Sequence, residues 1–152
     1  MNEYSRTALN AYTKHALENE VSSASPHKLI LMLFDGALAS IALAKSQIEN
    51  RQVAEKGRSL SKAIAIIEEG LRLSLDKNVG GELAQNLDAL YEYMSHRLLM
   101  ANIGNDLSAL EEVTRLLGLL RGAWEEMKPS ATPVQPSDTP PAQTAGASYG
   151  KA

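Results

Sequence analysis

The chain has 152 residues, 15 Lys and Arg against 18 Asp and Glu, no cysteine, and 44% apolar residues although only 5% of the chain is aromatic. That length supports about one domain with a core of Leu, Ile, Ala and Met, a composition that favours helices over sheets. A formal charge of −3 without a cluster of Lys and Arg argues against nucleic acid as a partner, and the missing cysteines remove disulfides, thiol chemistry and cysteine-based metal sites. No continuous run of eighteen apolar residues and no leader with a cleavage pattern is visible, so the expectation is a cytoplasmic protein without membrane insertion.

Residues 1–24 come first. Ala8, Leu9, Ala11, Tyr12, Ala16 and Leu17 make a short amphipathic pattern before Val21-Ser22-Ser23, a segment able to dock on the rest or to detach. Ser25-Pro26 then reads as an N-cap and a first-turn proline. It opens a helix to about Asn50, in which Ile30, Leu33 or Phe34, Ala37, Ile41, Ala44 and Ile48 recur at steps of three and four. A second helix uses Val53, Gly57, Leu60, Ile64, Ile67 and Leu71 and is expected to stop at the turn Asn78-Val79-Gly80-Gly81. Leu83, Leu87, Leu90, Met94, Leu98 and Ala101 mark a third helix ending at Ile103-Gly104-Asn105. Asn105 or Asp106 caps a fourth, which carries Leu107, Leu110, Val113, Leu117, Leu120, Trp124 and Met127. Beyond 128, the Pro, Ala, Ser and Thr of residues 129–152 bury too little surface to offset ordering entropy, so a disordered tail is expected. Four long helices with short connections over residues 25–128 predict an all-α, antiparallel up-down four-helix bundle.

The helices hold more apolar residues than such a core needs. On the second, Ala63, Ile66, Gly70 and Leu73 form another line at helical spacing, turned about 100° from the first. The first helix begins Leu29-Ile30-Leu31-Met32-Leu33-Phe34, apolar all round. Leu116 and Leu119 are added on the fourth, and Tyr91, Tyr93, Leu99 and Met100 on the third. A wide core stripe explains any one of these. Over four helices the surplus suits a partner that brings its own apolar face, or a permanent subunit interface in an adaptor or self-associating bundle.

Catalytic patterns do not emerge. A two-metal bundle site needs Glu-x-x-His on two helices, and none occurs; Glu92 and His96, four apart, read as a surface pair. The three histidines are scattered, no serine sits in a nucleophile elbow, and Gly80-Gly81 lacks the spacing and lysine of a phosphate-binding loop. Glu68-Glu69, Glu111-Glu112 and Glu125-Glu126 are sequence neighbours and so diverge on a helix. Neither an enzyme nor a cofactor is expected.

The order and spacing of Ala11-Tyr12, Ala24-Ser25-Pro26-His27-Lys28-Leu29-Ile30, Met32-Leu33-Phe34-Asp35-Gly36-Ala37, Gly80-Gly81-Glu82-Leu83, Asn86-Leu87, Leu90-Tyr91-Glu92-Tyr93-Met94, Ala101-Asn102, Glu111-Glu112-Val113 and Ala123-Trp124 resemble the flagellin export chaperones called FliS. Many members have Tyr at the place of Phe34. The resemblance implies a cytoplasmic bundle that binds the disordered C-terminal segment of flagellin, which becomes helical around it. Such binding prevents premature polymerisation and helps present flagellin to the gate of the flagellar type III export apparatus. It also implies that the N-terminal segment, with the tyrosine matching Tyr12, covers a groove the client must occupy. Leu9 lies one turn before Tyr12. The residues expected to meet the partner are Leu9, Tyr12, Ile66, Leu73, Tyr91, Met94, Leu116 and Leu119.

Overall fold

The computed structural model describes residues 23–127. Leu9, Tyr12 and the N-terminal segment to Ser22, and the tail beyond Met127, lie outside the described residues. Four helices follow in order: α1 (Pro26–Glu49), α2 (Val53–Ala65), α3 (Gly81–Gly104) and α4 (Leu107–Glu126). Residues up to Arg121 form one compact unit, and those from Gly122 belong to a second. The architecture is the all-α bundle expected from the periodicity.

Local chemistry sets the helix ends. Ser25 accepts the amide of Lys28, with Pro26 in the first turn, where its missing N–H costs nothing. Asp106 accepts the amides of Ser108 and Ala109 and so caps α4. Asn105, at φ 53, takes the left-handed conformation that ends α3. Before α3, Asp76 accepts the amides of Asn78 and Val79, and Gly81, at φ 58, turns the chain into the helix.

One element departs from expectation. The second helix does not run as an α-helix to the Asn78–Gly81 turn: α2 passes without a break into a π-helical stretch, Ile66–Arg72, and ends there. Leu60, Ala63, Ile67 and Leu71 are all fully buried, so the core line continues from α2 through the π-helical stretch. Ile64, expected in the core line, is displaced by Ala63 and is only half-buried.

Cross-helix contacts define the order around the bundle, which periodicity alone leaves open. Gln47 accepts from the Ser59 hydroxyl at 2.7 Å. Ile66 packs over Gly36, where an added Cβ would lie 3.3 Å from its Cδ1, and Leu33 packs over Gly70, where a Cβ would come within 2.9 Å of its Cδ2. Numbers rise on α1 as they fall on α2, so the two are antiparallel neighbours. Reciprocal glycines let them approach more closely than two Cβ-bearing helices could. Arg72 with Asp88, Glu68 with Ser95, and Lys56 with Asn102 pair α2 and its π stretch antiparallel to α3. Tyr93 and Arg97 with Glu112 join α3 to α4. Asp35 with Arg121 and Lys45 with Glu111 return α4 to α1 and close the ring. The core is aliphatic as composition requires, with Ile41, Leu60, Ile67, Leu71, Met94, Leu98, Leu110 and Leu117 the largest sealed side chains.

Candidate functional site

Once the core is filled, the outer flanks of the helices remain. Their polar side chains are committed to holding the ring together. Arg72 donates to Asp88 at 2.7 Å and 3.3 Å and to Glu68 at 2.9 Å, while Glu68 also accepts from the Ser95 hydroxyl at 2.6 Å. The Arg72 guanidinium holds the Asp88 carboxyl below its ordinary value, despite partial desolvation. On the α3 and α4 flank, Glu112 accepts from the Tyr93 hydroxyl and from Arg97 Nε, each at 2.7 Å. These bonds depress its pKa, the tyrosine first and the arginine second. The Tyr93 hydroxyl is raised in turn, first by its bond to Glu112, and Tyr91 is pushed up to about 12 by burial. Among the described residues no group of three or more His, Asp or Glu gathers as metal ligands would. These pairs tie neighbouring helices to one another.

The apolar surface is of a different kind. Leu73 is 74% exposed and Leu119 65%, and Val79, Leu83, Leu99, Met100 and Ile103 also face solvent. Between α1 and α4 runs a groove of about 330 Å³ lined by buried Ile41 and Leu110 and by Ala42, Lys45, Glu111, Thr114 and Arg115. Periodicity could not have found it, because it depends on α4 lying beside α1, and Glu111 read simply as a solvated charge. By length and composition alone α1 is apolar enough to cross a membrane, although charged and polar residues interrupt its apolar run. Inside the bundle its apolar flanks serve α2, the core and this groove, and its Asp35 and Lys45 are paired with α4.

The residues expected to meet a partner do not form one patch. Tyr91, 4% exposed, and Met94, 0%, lie in the core and not on an open face: Met94 keeps the periodic line with Leu98 and Ala101, and Tyr91 joins it from beside that line. Ile66 is half-buried against Gly36, at the seam with α1. Leu73, just past the end of the π stretch, stands in solvent. Leu116 is half-buried one turn after Glu112, on the flank toward α3, and Leu119 is open. Leu73 and Leu119 are therefore the two available as they stand.

Comparison with known proteins accords with the bundle. The family model described as flagellar protein FliS matches residues 8–131. A Salmonella typhimurium protein named flagellar secretion chaperone FliS is 47% identical over 129 residues, covering 85% of this chain and 96% of its own. The Escherichia coli protein of the same name is 46% identical over 132 residues (87% and 97%), and that of Bacillus subtilis 41% over 117 residues (77% and 85%). With the family model matching residues 8–131 and relatives 46–47% identical over most of both chains, the chain belongs to the FliS family, whose relatives are named flagellar secretion chaperones.

Proposed function

We propose that this chain binds the C-terminal segment of newly made flagellin in the cytoplasm, holds it as helices against its apolar flanks, and so prevents premature polymerisation before helping to deliver it to the export gate. The observation that carries the reading is the coexistence of a sealed core with large apolar side chains left in water. Each fully exposed leucine or isoleucine forgoes about 1.5 to 3 kcal/mol of burial, and Leu73, Leu83, Leu99, Ile103 and Leu119 are all exposed. An amphipathic client laid on these flanks recovers that free energy in helix-in-groove fashion. Several contacts are required, since ordering a disordered segment costs about 2 to 5 kcal/mol. The α1 and α4 groove supplies a concave floor for one stretch of such a client, and the names of the relatives, as secretion chaperones of the flagellum, support the client class. In this reading Leu9 and Tyr12 cover one groove until the client takes it.

Calorimetric titration with the C-terminal segment of the same organism's flagellin tests the proposal. One-to-one binding with a large negative heat-capacity change supports it. Failure to bind, together with sedimentation as a stable dimer, would assign the apolar flanks to self-association instead.

A further inference from the structure

Among the described residues, Arg72, Arg97 and Arg121 are each held by a carboxylate on a neighbouring helix, Asp88, Glu112 and Asp35 in turn. Arg115 is in no such ion pair, yet it lines the apolar groove between α1 and α4. We propose that this groove anchors one large apolar side chain of the client and that Arg115 takes an acidic side chain beside it, so that the chaperone selects a stretch of flagellin carrying both. The inference rests on the function proposed above and names the chemistry that one of its grooves recognises.

The length of the groove sets the first half. Its lining runs from Ile41 to Lys45 on α1 and from Leu110 to Arg115 on α4, about 6 to 8 Å of each helix at a rise of 1.5 Å per residue. That is room for an apolar anchor and its neighbours, and too short to cradle a whole helix. Buried Ile41 and Leu110 supply the apolar surface, while Ala42 and Thr114, small and exposed, leave it open. Charge sets the second half. Lys45 and Glu111 meet at 3.7 Å and cancel each other. Arg115 acts on Glu112 through space, but that carboxylate already accepts from Tyr93 and Arg97 at 2.7 Å each. The lining therefore carries one unbalanced positive charge in a chain whose net charge is −3. A client carboxylate complements it, and a guanidinium can meet a carboxylate through two parallel hydrogen bonds, which fix position as well as add attraction. The covering client also removes water from the pair and so strengthens it. A stretch without an acidic residue would cover Arg115 and leave its donors unmet, so the same side chain that selects also rejects.

Calorimetric titration of the full-length protein with the C-terminal segment of the same organism's flagellin, at low and high salt, tests the pairing. Ala42→Trp fills the groove with an indole and should weaken binding at least about tenfold. Arg115→Gln should weaken it about fivefold and reduce its salt dependence. Both positions are exposed, so both variants should melt near the wild-type temperature, which separates lost affinity from lost fold. Arg58→Gln removes an exposed cation from α2, which does not line the groove, and should leave affinity as it is. A loss there as large as that of Arg115→Gln would mean overall charge and would overturn the proposal, as would wild-type affinity in either groove variant. A segment with an amidated C-terminus should bind as tightly as the free acid; a loss on amidation that Arg115→Gln abolishes would give Arg115 to the chain end and overturn the acidic side chain. A wild-type dimer in sedimentation that Ala42→Trp dissolves would assign the groove to a second copy and overturn the proposal as well. If wild type binds no segment, the proposed function falls and takes this inference with it; if wild type and both groove variants bind alike, this inference falls alone.

Discussion

Lys56 of α2 extends its ammonium to the carbonyl of Asn102 at 2.8 Å and to the side-chain oxygen of Asn105 at 2.7 Å, and is only 6% exposed. A buried cation is thereby placed against the carbonyl end of α3, where the helix dipole favours positive charge. Replacing Lys56 with Met keeps the stem and removes the donor, leaving two acceptors without it. The expected loss is about 1 to 3 kcal/mol in urea denaturation. Asn105→Gly keeps the left-handed turn and removes one acceptor, so its loss should be the smaller of the two.

Gly70 and Gly118 offer opposite outcomes from the same substitution. Glycine inside a helix is disfavoured by about 1 kcal/mol relative to alanine. At Gly118 nothing lies within 4 Å of an added Cβ, so Gly118→Ala should raise the melting temperature. At Gly70 the Cβ would strike Leu33, and overpacking of about 1 to 3 kcal/mol should outweigh the propensity gain. Thermal melts of the two variants, read side by side, check both signs.

Charge on the α2 seam should separate folding from binding. Leu73→Asp changes a residue already in solvent and should shift stability by less than about 0.5 kcal/mol while weakening flagellin binding in calorimetry. Ile66→Asp places a carboxylate against Gly36 and should lower the melting temperature markedly. An equal effect of both on melting would mean that Leu73 is covered.

Acid should destabilise the bundle in a definite window. Asp88, held down by Arg72; Asp106, by the Ser108 hydroxyl and then the Ala109 amide; and Glu112, by Tyr93 and then Arg97, all have folded values below their ordinary 3.8 or 4.5. Below the ordinary range the unfolded chain binds protons that the folded chain refuses, so stability present above about pH 4.5 is lost as pH falls. Tyr91 acts at the other end: its folded value near 12 exceeds the ordinary 10, so stability falls as pH climbs from about 10 toward 12. Melting temperatures across pH 2 to 12 should trace both edges, and Asp88→Asn should flatten part of the acid one.

Much of the fold is legible in the chain because a two-sided pattern at steps of three and four fixes which face of a helix turns inward. Phe34, Ala37, Ile41, Ala44, Leu60, Leu98 and Leu117 could be placed that way, as could the caps at Ser25 and Asp106. The π stretch was not legible, since the pattern assumes 3.6 residues per turn and Ile66–Arg72 departs from that. Leu73, expected outside the core line, stands in solvent. Tyr91 stands apart from the periodic line of α3 that holds Met94, and the space between four helices accepts both. The α1 and α4 groove needs helix order, which rests on pairs such as Lys45 with Glu111 that no local pattern announces.

The bond from Arg121 to Asp35 joins residues 86 apart in the chain. On a ribosome, synthesis proceeds from the N-terminus, and α1, α2 and α3 can pair through short connections as each emerges. The flank of α1 that carries Asp35, Ile41 and Lys45 has to wait for α4. A nascent chain halted before residue 121 therefore lacks the partner that covers this flank.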